Sequence, residues 1–124
     1  MFETAYQLTY VRDMAASVAF YRQLLSAEPG ESAPTFSLFV LVDGSRFGLW
    51  SYQSLQPASD FHGVAGGELA LTVPTLAQLQ ACYAAWQQRS WPLLQAPTRM
   101  DFGTSCVTAD PDGHRIRVFV PAAA

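Results

Sequence analysis

From Ala5 to Arg12 the chain alternates, with Tyr6, Leu8 and Tyr10 on one side and Gln7, Thr9 and Val11 on the other. A period of two in β-favouring residues predicts a strand. After Asp13 the period changes: Met14, Val18, Tyr21 and Leu25 form one helical stripe, with Asp13 as the N-cap. Pro29-Gly30 ends that segment. Thr35–Val42 and Arg46–Tyr52 read as two strands, and Asp43-Gly44 between them is a hairpin signal. Gln53 to Gly67 is loop-like, punctuated by Pro57, Gly63 and Gly66-Gly67.

The same order then begins again. Glu68–Val73 is a strand, Thr75 takes the cap position, and Leu79, Cys82 or Tyr83, and Trp86 make the helical stripe. Pro92–Ala96 is a short strand stopped by Pro97. Gly103–Ala109 and Arg115–Val120 are strands joined by the turn Asp110-Pro111-Asp112-Gly113. A shift of about 62 residues lays Val11 on Val73, Asp13 on Thr75 and Tyr21 on Tyr83. Near the ends of the two halves, Asp43-Gly44 answers Asp112-Gly113 and Arg46 answers Arg115. Strand, helix and strands, taken twice, predict an α+β fold of two tandem βαβββ modules forming a cup-shaped sheet with helices outside. The whole chain, 1–124, is expected to be one domain, with module one over about 1–56 and module two over about 66–124.

Composition agrees with a packed core: half of the residues are apolar, 14% are charged, and three Trp, five Tyr and eight Phe are available to fill or line it. The net charge is −3 and the seven basic residues are scattered, so neither nucleic acid nor an anionic membrane is an expected partner. Met1-Phe2-Glu3-Thr4 has no basic or apolar leader character, and no apolar run approaches a membrane span, so a cytoplasmic protein is expected. Cys82 and Cys106 are not a Cys-x-x-Cys pair and read as small buried hydrophobes in a reducing compartment, although one disulfide between them is possible. His62 and His114 read as solvated loop residues. No nucleophile–base pairing and no glycine-rich phosphate loop is readable, so no catalytic residue is assigned.

Tyr10-Val11-Arg12-Asp13-Met14 followed by Ser17-Val18-Ala19-Phe20-Tyr21-Arg22-Gln23-Leu24-Leu25 resembles the opening of the vicinal-oxygen-chelate superfamily, which includes glyoxalases and bleomycin-resistance proteins. Asp110-Pro111-Asp112-Gly113-His114 followed by Ile116-Arg117-Val118 resembles its closing hairpin. Phe47-Gly48-Leu49-Trp50-Ser51 and Asp101-Phe102-Gly103 are similar, more narrowly, to the phenazine antibiotic resistance proteins, small metal-free members that bind a planar aromatic antibiotic in the cup.

The resemblance places the superfamily's four metal-ligand positions at Tyr6, at Gly48 or Trp50, at Glu68 and at Arg117. Only Glu68 can ligate a divalent ion, and Arg117 brings a fixed positive charge that can neutralise Glu68 instead. No metal and no other cofactor is therefore expected. What the resemblance implies is a cup lined by Tyr6, Leu8 and Tyr10, by Gly48, Trp50 and Tyr52, by Glu68, Ala70 and Thr72, and by Arg117 and Phe119. The opposite faces, with Val11, Phe47, Leu49, Leu69, Leu71, Ile116 and Val118, suit packing under the helices. Tyr6, Tyr10, Gly48, Trp50, Tyr52, Glu68, Phe102 and Arg117 are the expected ligand-binding residues, with Gly48 leaving room for a flat ligand against the Trp50 indole. The implied activity is metal-free sequestration of a planar aromatic small molecule by a homodimer. The alternative is a divergent lyase, isomerase or dioxygenase of the same superfamily, which would use Glu68 as base and Arg117 as oxyanion stabiliser, or a metal held elsewhere.

Overall fold

Two side chains begin the two helices. Asp13 and Thr75, both in extended backbone, accept hydrogen bonds from the main-chain N–H of Ala16 and Gln78, each three residues on. These contacts satisfy donors that a helix start leaves open. The helices that follow are α1 (Met14–Leu25) and α2 (Leu76–Gln88). The computed structural model describes residues 1–59 and 67–123, which divide into two compact units, Met1–Gly63 and Val64–Ala124.

In the first unit, β1 (Tyr6–Val11), β2 (Glu31–Ser32), β3 (Phe36–Val40) and β4 (Arg46–Ser51) form one sheet in the order β1-β4-β3-β2. The β1–β4 pair is parallel and the others are antiparallel. In the second unit, β5 (Glu68–Thr72), β6 (Gln95–Met100), β7 (Gly103–Ala109) and β8 (Arg115–Pro121) repeat this plan as β5-β8-β7-β6, with β5 parallel to β8. The doubled βαβββ order read from the sequence is thus the order of the fold.

Each helix covers one face of its own sheet. In the first unit Val11, Phe39, Phe47 and Leu49 are buried with Val18, Phe20 and Tyr21 of α1. The Tyr21 ring lies 4.7 Å from that of Phe47, centroid to centroid. In the second, Cys106, Ile116 and Val118 are buried with Leu79 and Trp86 of α2. Each large apolar side chain so placed contributes ~1.5–3 kcal/mol relative to exposure. Tyr83, the repeat partner of Tyr21, is only half-buried; Trp86, one turn later, fills the place under α2.

Most strand ends shift by one or two residues, as where Phe36–Val40 replaces the expected Thr35–Val42, and three differences have a physical reason. The strand that completes the first βαβββ unit, β2, has no residues assigned from the sequence, because Glu31-Ser32 is short, polar and exposed and carries no period. β4 stops at Ser51: the chain turns into a short 3-10 helix, Tyr52–Ser54, in which the Ser54 hydroxyl donates to the Ser51 carbonyl at 3.1 Å. The sixth strand, expected at Pro92–Ala96, starts at Gln95 and runs through Pro97 to Met100. Pro97 is tolerated there because β6 is the last strand of its sheet and its pairing with β7 is interrupted between Gln95 and Thr98, so no ladder hydrogen bond is asked of the missing N–H. Among the described residues, no helix is long and apolar enough to cross a membrane.

Candidate functional site

The sheet face away from the helix is the candidate surface in each unit. In the first unit the parallel register sets Tyr6 beside Arg46, Leu8 beside Gly48 and Tyr10 beside Trp50, while Phe36 and Leu38 of β3 oppose Trp50 and Gly48. Side chains in register share a face, so an aromatic and aliphatic row runs across three strands. It stays open: Tyr6, Leu8 and Tyr10 are 51%, 40% and 44% exposed, and Trp50 is partly exposed. The guanidinium of Arg46 sits 5.6 Å from the Tyr6 ring centroid, a cation–π distance.

Two expectations for this face need correction. Gly48 does not leave an empty slot beside Trp50. A Cβ on it would lie 2.8 Å from Leu8 Cδ2 and 2.9 Å from Phe36 Cζ, so those two side chains fill the space. Tyr52 does not continue the Gly48–Trp50 row, since the strand has already ended; its hydroxyl donates to the Ser59 carbonyl at 2.5 Å.

In the second unit the same parity gathers a polar cluster. Ala70, Val107 and Arg117 are in register across β5, β7 and β8, as are Thr72, Ser105 and Phe119. Arg117 Nε donates to Glu68 Oε1 and Nη2 to Glu68 Oε2 at 3.4 Å. Nη1 donates to Ser105 Oγ at 2.8 Å and to Gln95 Oε1 at 3.1 Å. Ser105 Oγ in turn donates to Gln95 Oε1 at 2.6 Å. Phe102, in the turn between β6 and β7, lies with its ring centroid 5.7 Å from the Arg117 guanidinium carbon and meets Phe119 edge-on at 5.4 Å. Glu68, Phe102 and Arg117 are therefore one constellation. Gln95, Ser105 and Met100 belong to it and were not singled out from the sequence. Ser105 could have been found by counting back from the Ala109–Arg115 pair of the closing hairpin. Gln95 could not, because the irregularity in β6 breaks the alternation.

The four expected ligand positions do not fit a divalent ion. Gly48 and Arg117 are each third in equivalent strands, and Tyr6 and Glu68 each first in theirs. Of these, Gly48 offers no side-chain donor atom and its alternative Trp50 only an indole N–H, Arg117 is a cation, and the Glu68 carboxylate is engaged by Arg117. Elsewhere, Asp110, Asp112 and His114 bring ligand-type atoms within 4.8 Å of one another in the β7–β8 turn. Asp110 Oδ1 accepts from the main-chain N–H of Asp112 and of His114 at 2.9 and 2.8 Å, which builds the turn itself. His114 lies in the loop as expected, but half-buried beside two carboxylates instead of fully solvated. His62 lies outside the described residues. A groove of about 610 Å³ runs between α1 and the chain at Ser32–Pro34, lined by Met14, Val18 and Arg22, on the helix side of the first sheet.

Cys82 and Cys106 are both free thiols. Burial raises both above the ordinary thiol value, and Cys106, with Cys82 nearby, is pushed up to about 12. Such a thiol is no nucleophile near neutrality.

Residues 5–118 match the family described as the Glyoxalase/Bleomycin resistance protein/Dioxygenase superfamily. The chain is 29% identical over 115 residues to the phenazine antibiotic resistance protein EhpR of Enterobacter agglomerans, covering 90% of this chain and 87% of that one. It is also similar to the solution structure of protein ATC0852 from Agrobacterium tumefaciens, at 41% identity and a TM-score of 0.87, over 99% of this chain and all of that one. A glyoxalase-related enzyme from Fulvimarina pelagi shares the fold at 20% identity, with a TM-score of 0.84, over 100% of this chain and 94% of that chain. Doubled βαβββ units and a family match spanning both of them make this chain a member of the glyoxalase/bleomycin resistance/dioxygenase superfamily.

Proposed function

We propose that this protein binds a planar aromatic small molecule of the antibiotic kind and holds it without covalent change or a metal. The observation that carries this is the open row of Tyr6, Leu8 and Tyr10 beside Trp50, since a contiguous apolar surface left in water usually marks a binding site. The similarity to a phenazine antibiotic resistance protein supports the ligand class. The lack of a fitting donor set at the superfamily's metal positions supports a metal-free mode. Stacking on Trp50 and on the two tyrosines adds ~0.5–1.5 kcal/mol per aromatic pair beyond area burial, so several contacts together give micromolar affinity or better.

Titration with phenazine, followed by tryptophan fluorescence and by melting temperature, tests the reading. The parent is expected to bind and to be stabilised by ligand. Trp50→Ala should weaken binding by ~1–3 kcal/mol through lost stacking and lost apolar contact. Because Trp50 is only half-buried, the variant should keep its fold. Trp86→Ala, which empties a fully covered site under α2, should instead cost ~3–5 kcal/mol of stability. A parent that binds no planar aromatic compound, or that purifies with about one transition metal per chain, would overturn the proposal.

A further inference from the structure

Each half of the chain places an arginine at the start of its hairpin's second strand, but the surroundings differ. In the second unit Arg115 is in register with Glu68, so a carboxylate stands across the strand from it. In the first unit its counterpart, Arg46, is in register with Tyr6 on one side and Val40 on the other, and neither carries a charge. Among the described residues no carboxylate forms an ion pair with Arg46. Asp43, in the preceding turn, accepts from the Ser45 main-chain N–H instead. Glu31 reaches this face beside Leu38 on the outermost strand, where it is exposed and its field is screened by salt.

Arg46 is nevertheless held. It is half-buried, and its guanidinium carbon lies 5.6 Å from the Tyr6 ring centroid. Such stacking uses the flat face of the group and leaves its in-plane N–H fork free. Of the fork's donors, one makes a long contact of 3.5 Å to the Gly44 carbonyl oxygen. A fork steadied on an aromatic ring, with donors still to give, receives a carboxylate at little ordering cost. The same residue belongs to the open aromatic face. Tyr6, Arg46 and Val40 form one row of it, Leu8, Gly48 and Leu38 the next, and Tyr10, Trp50 and Phe36 the third. Arg46 is the one basic side chain among these. Arg46 and Trp50 lie on the same strand, about 13 Å apart along it. A fused three-ring compound stacked on Trp50 carries a substituent at its end into the reach of the arginine.

We infer that the aromatic compound taken by this face is anionic at one end, bearing a carboxylate or a group of like charge, and that Arg46 sets this preference. This rests on the binding role proposed above, uses the same face, and narrows its ligand class. The carboxylate exchanges water for charge-assisted hydrogen bonds to a guanidinium that no described carboxylate neutralises. A neutral amide at the same place meets the same donors without the charge.

Phenazine-1-carboxylate and phenazine-1-carboxamide have nearly the same shape and differ in charge near neutral pH. Calorimetric titration of the full chain with each gives the ratio of their affinities. The parent should prefer the carboxylate by about five- to tenfold, a pairing at a partly exposed site. Raising the salt from ~0.05 to ~0.5 M should shrink the preference. Arg46→Gln should erase it, with the loss falling on the carboxylate. Arg46→Lys, which keeps the charge without the fork, should retain part of it. Arg115→Gln, in the second unit, should leave it in place. Equal or weaker binding of the carboxylate by the parent would overturn the inference while leaving the binding role intact. A preference that survives Arg46→Gln, or that Arg115→Gln removes, would overturn it too. Failure of both compounds to bind the parent would remove the binding role, and the inference with it. Arg46 lies outside the helix-covered core, so both of its variants should fold, as melting temperature will check. The parent ratio tests the inference even if they do not.

Discussion

Two glycines show how differently one residue type can matter. At Gly48 an added methyl would meet the ends of Leu8 and Phe36, and Leu8 is open enough to swing away. At Gly103 φ is +140°, and an added Cβ would lie 2.0 Å from the Val120 carbonyl oxygen and 2.9 Å from the Ala122 nitrogen. Main chain cannot step aside as a side chain can. Gly48→Ala is therefore expected to cost about 1 kcal/mol, from modest overpacking. Gly103→Ala should cost roughly 3 kcal/mol or more, because backbone strain and a backbone clash coincide. Melting temperatures of the two variants against the parent check the contrast. Sequence alone shows that position 48 has no side chain. It does not show what covers it, since Leu8 and Phe36 arrive from two other strands whose neighbourhood is a matter of topology.

Among the elements, the helices were the most legible, and for a local reason. Stripe and cap lie within a few residues of each other, so chain spacing alone specifies them. Asp13 and Thr75 emerge as working caps, and Thr75 also donates through its hydroxyl to Gln78 Oε1 at 3.1 Å. Asp13→Ala and Thr75→Ala should each lower stability by ~1 kcal/mol, measured by urea unfolding. Asp13→Asn, which keeps an acceptor oxygen, should cost much less. The strands were legible where they alternate and bounded by turns, as in Gly103–Ala109, whose ends agree with expectation. β6 was misplaced because proline is normally a stop signal, and only its position at the end of the sheet order removes the penalty. β2 is held by its partner β3, through pairs such as Ser32 with Ser37, and not by any pattern of its own.

At the scale of the whole molecule, the doubled plan was readable because a 62-residue shift carries Tyr6 onto Glu68 and the first cap onto the second. The division of each sheet into a helix-covered apolar face and a second, more open face followed from parity: Val11, Phe47, Leu49, Ile116 and Val118 are buried as that parity requires, while Leu69 and Leu71, expected with them, are only half-buried. The polar cluster around Arg117 was legible in part. Glu68 and Arg117 could be paired through the resemblance, but Gln95 enters across an irregular strand that no period marks. The interior of the second unit also holds a chemical consequence in its buried thiol. Below the ordinary value of 9.0, Cys106 is protonated whether the chain is folded or not, and the fold keeps its full stability. Between that value and about 12, the unfolded chain gives up the proton and the folded one does not, so stability falls as pH rises. Cys106→Ala should flatten this alkaline decline in melting temperature. The same burial makes Cys106 a clock for opening: its alkylation by iodoacetamide should lag far behind that of Cys82 and proceed only as fast as the second unit exposes its core.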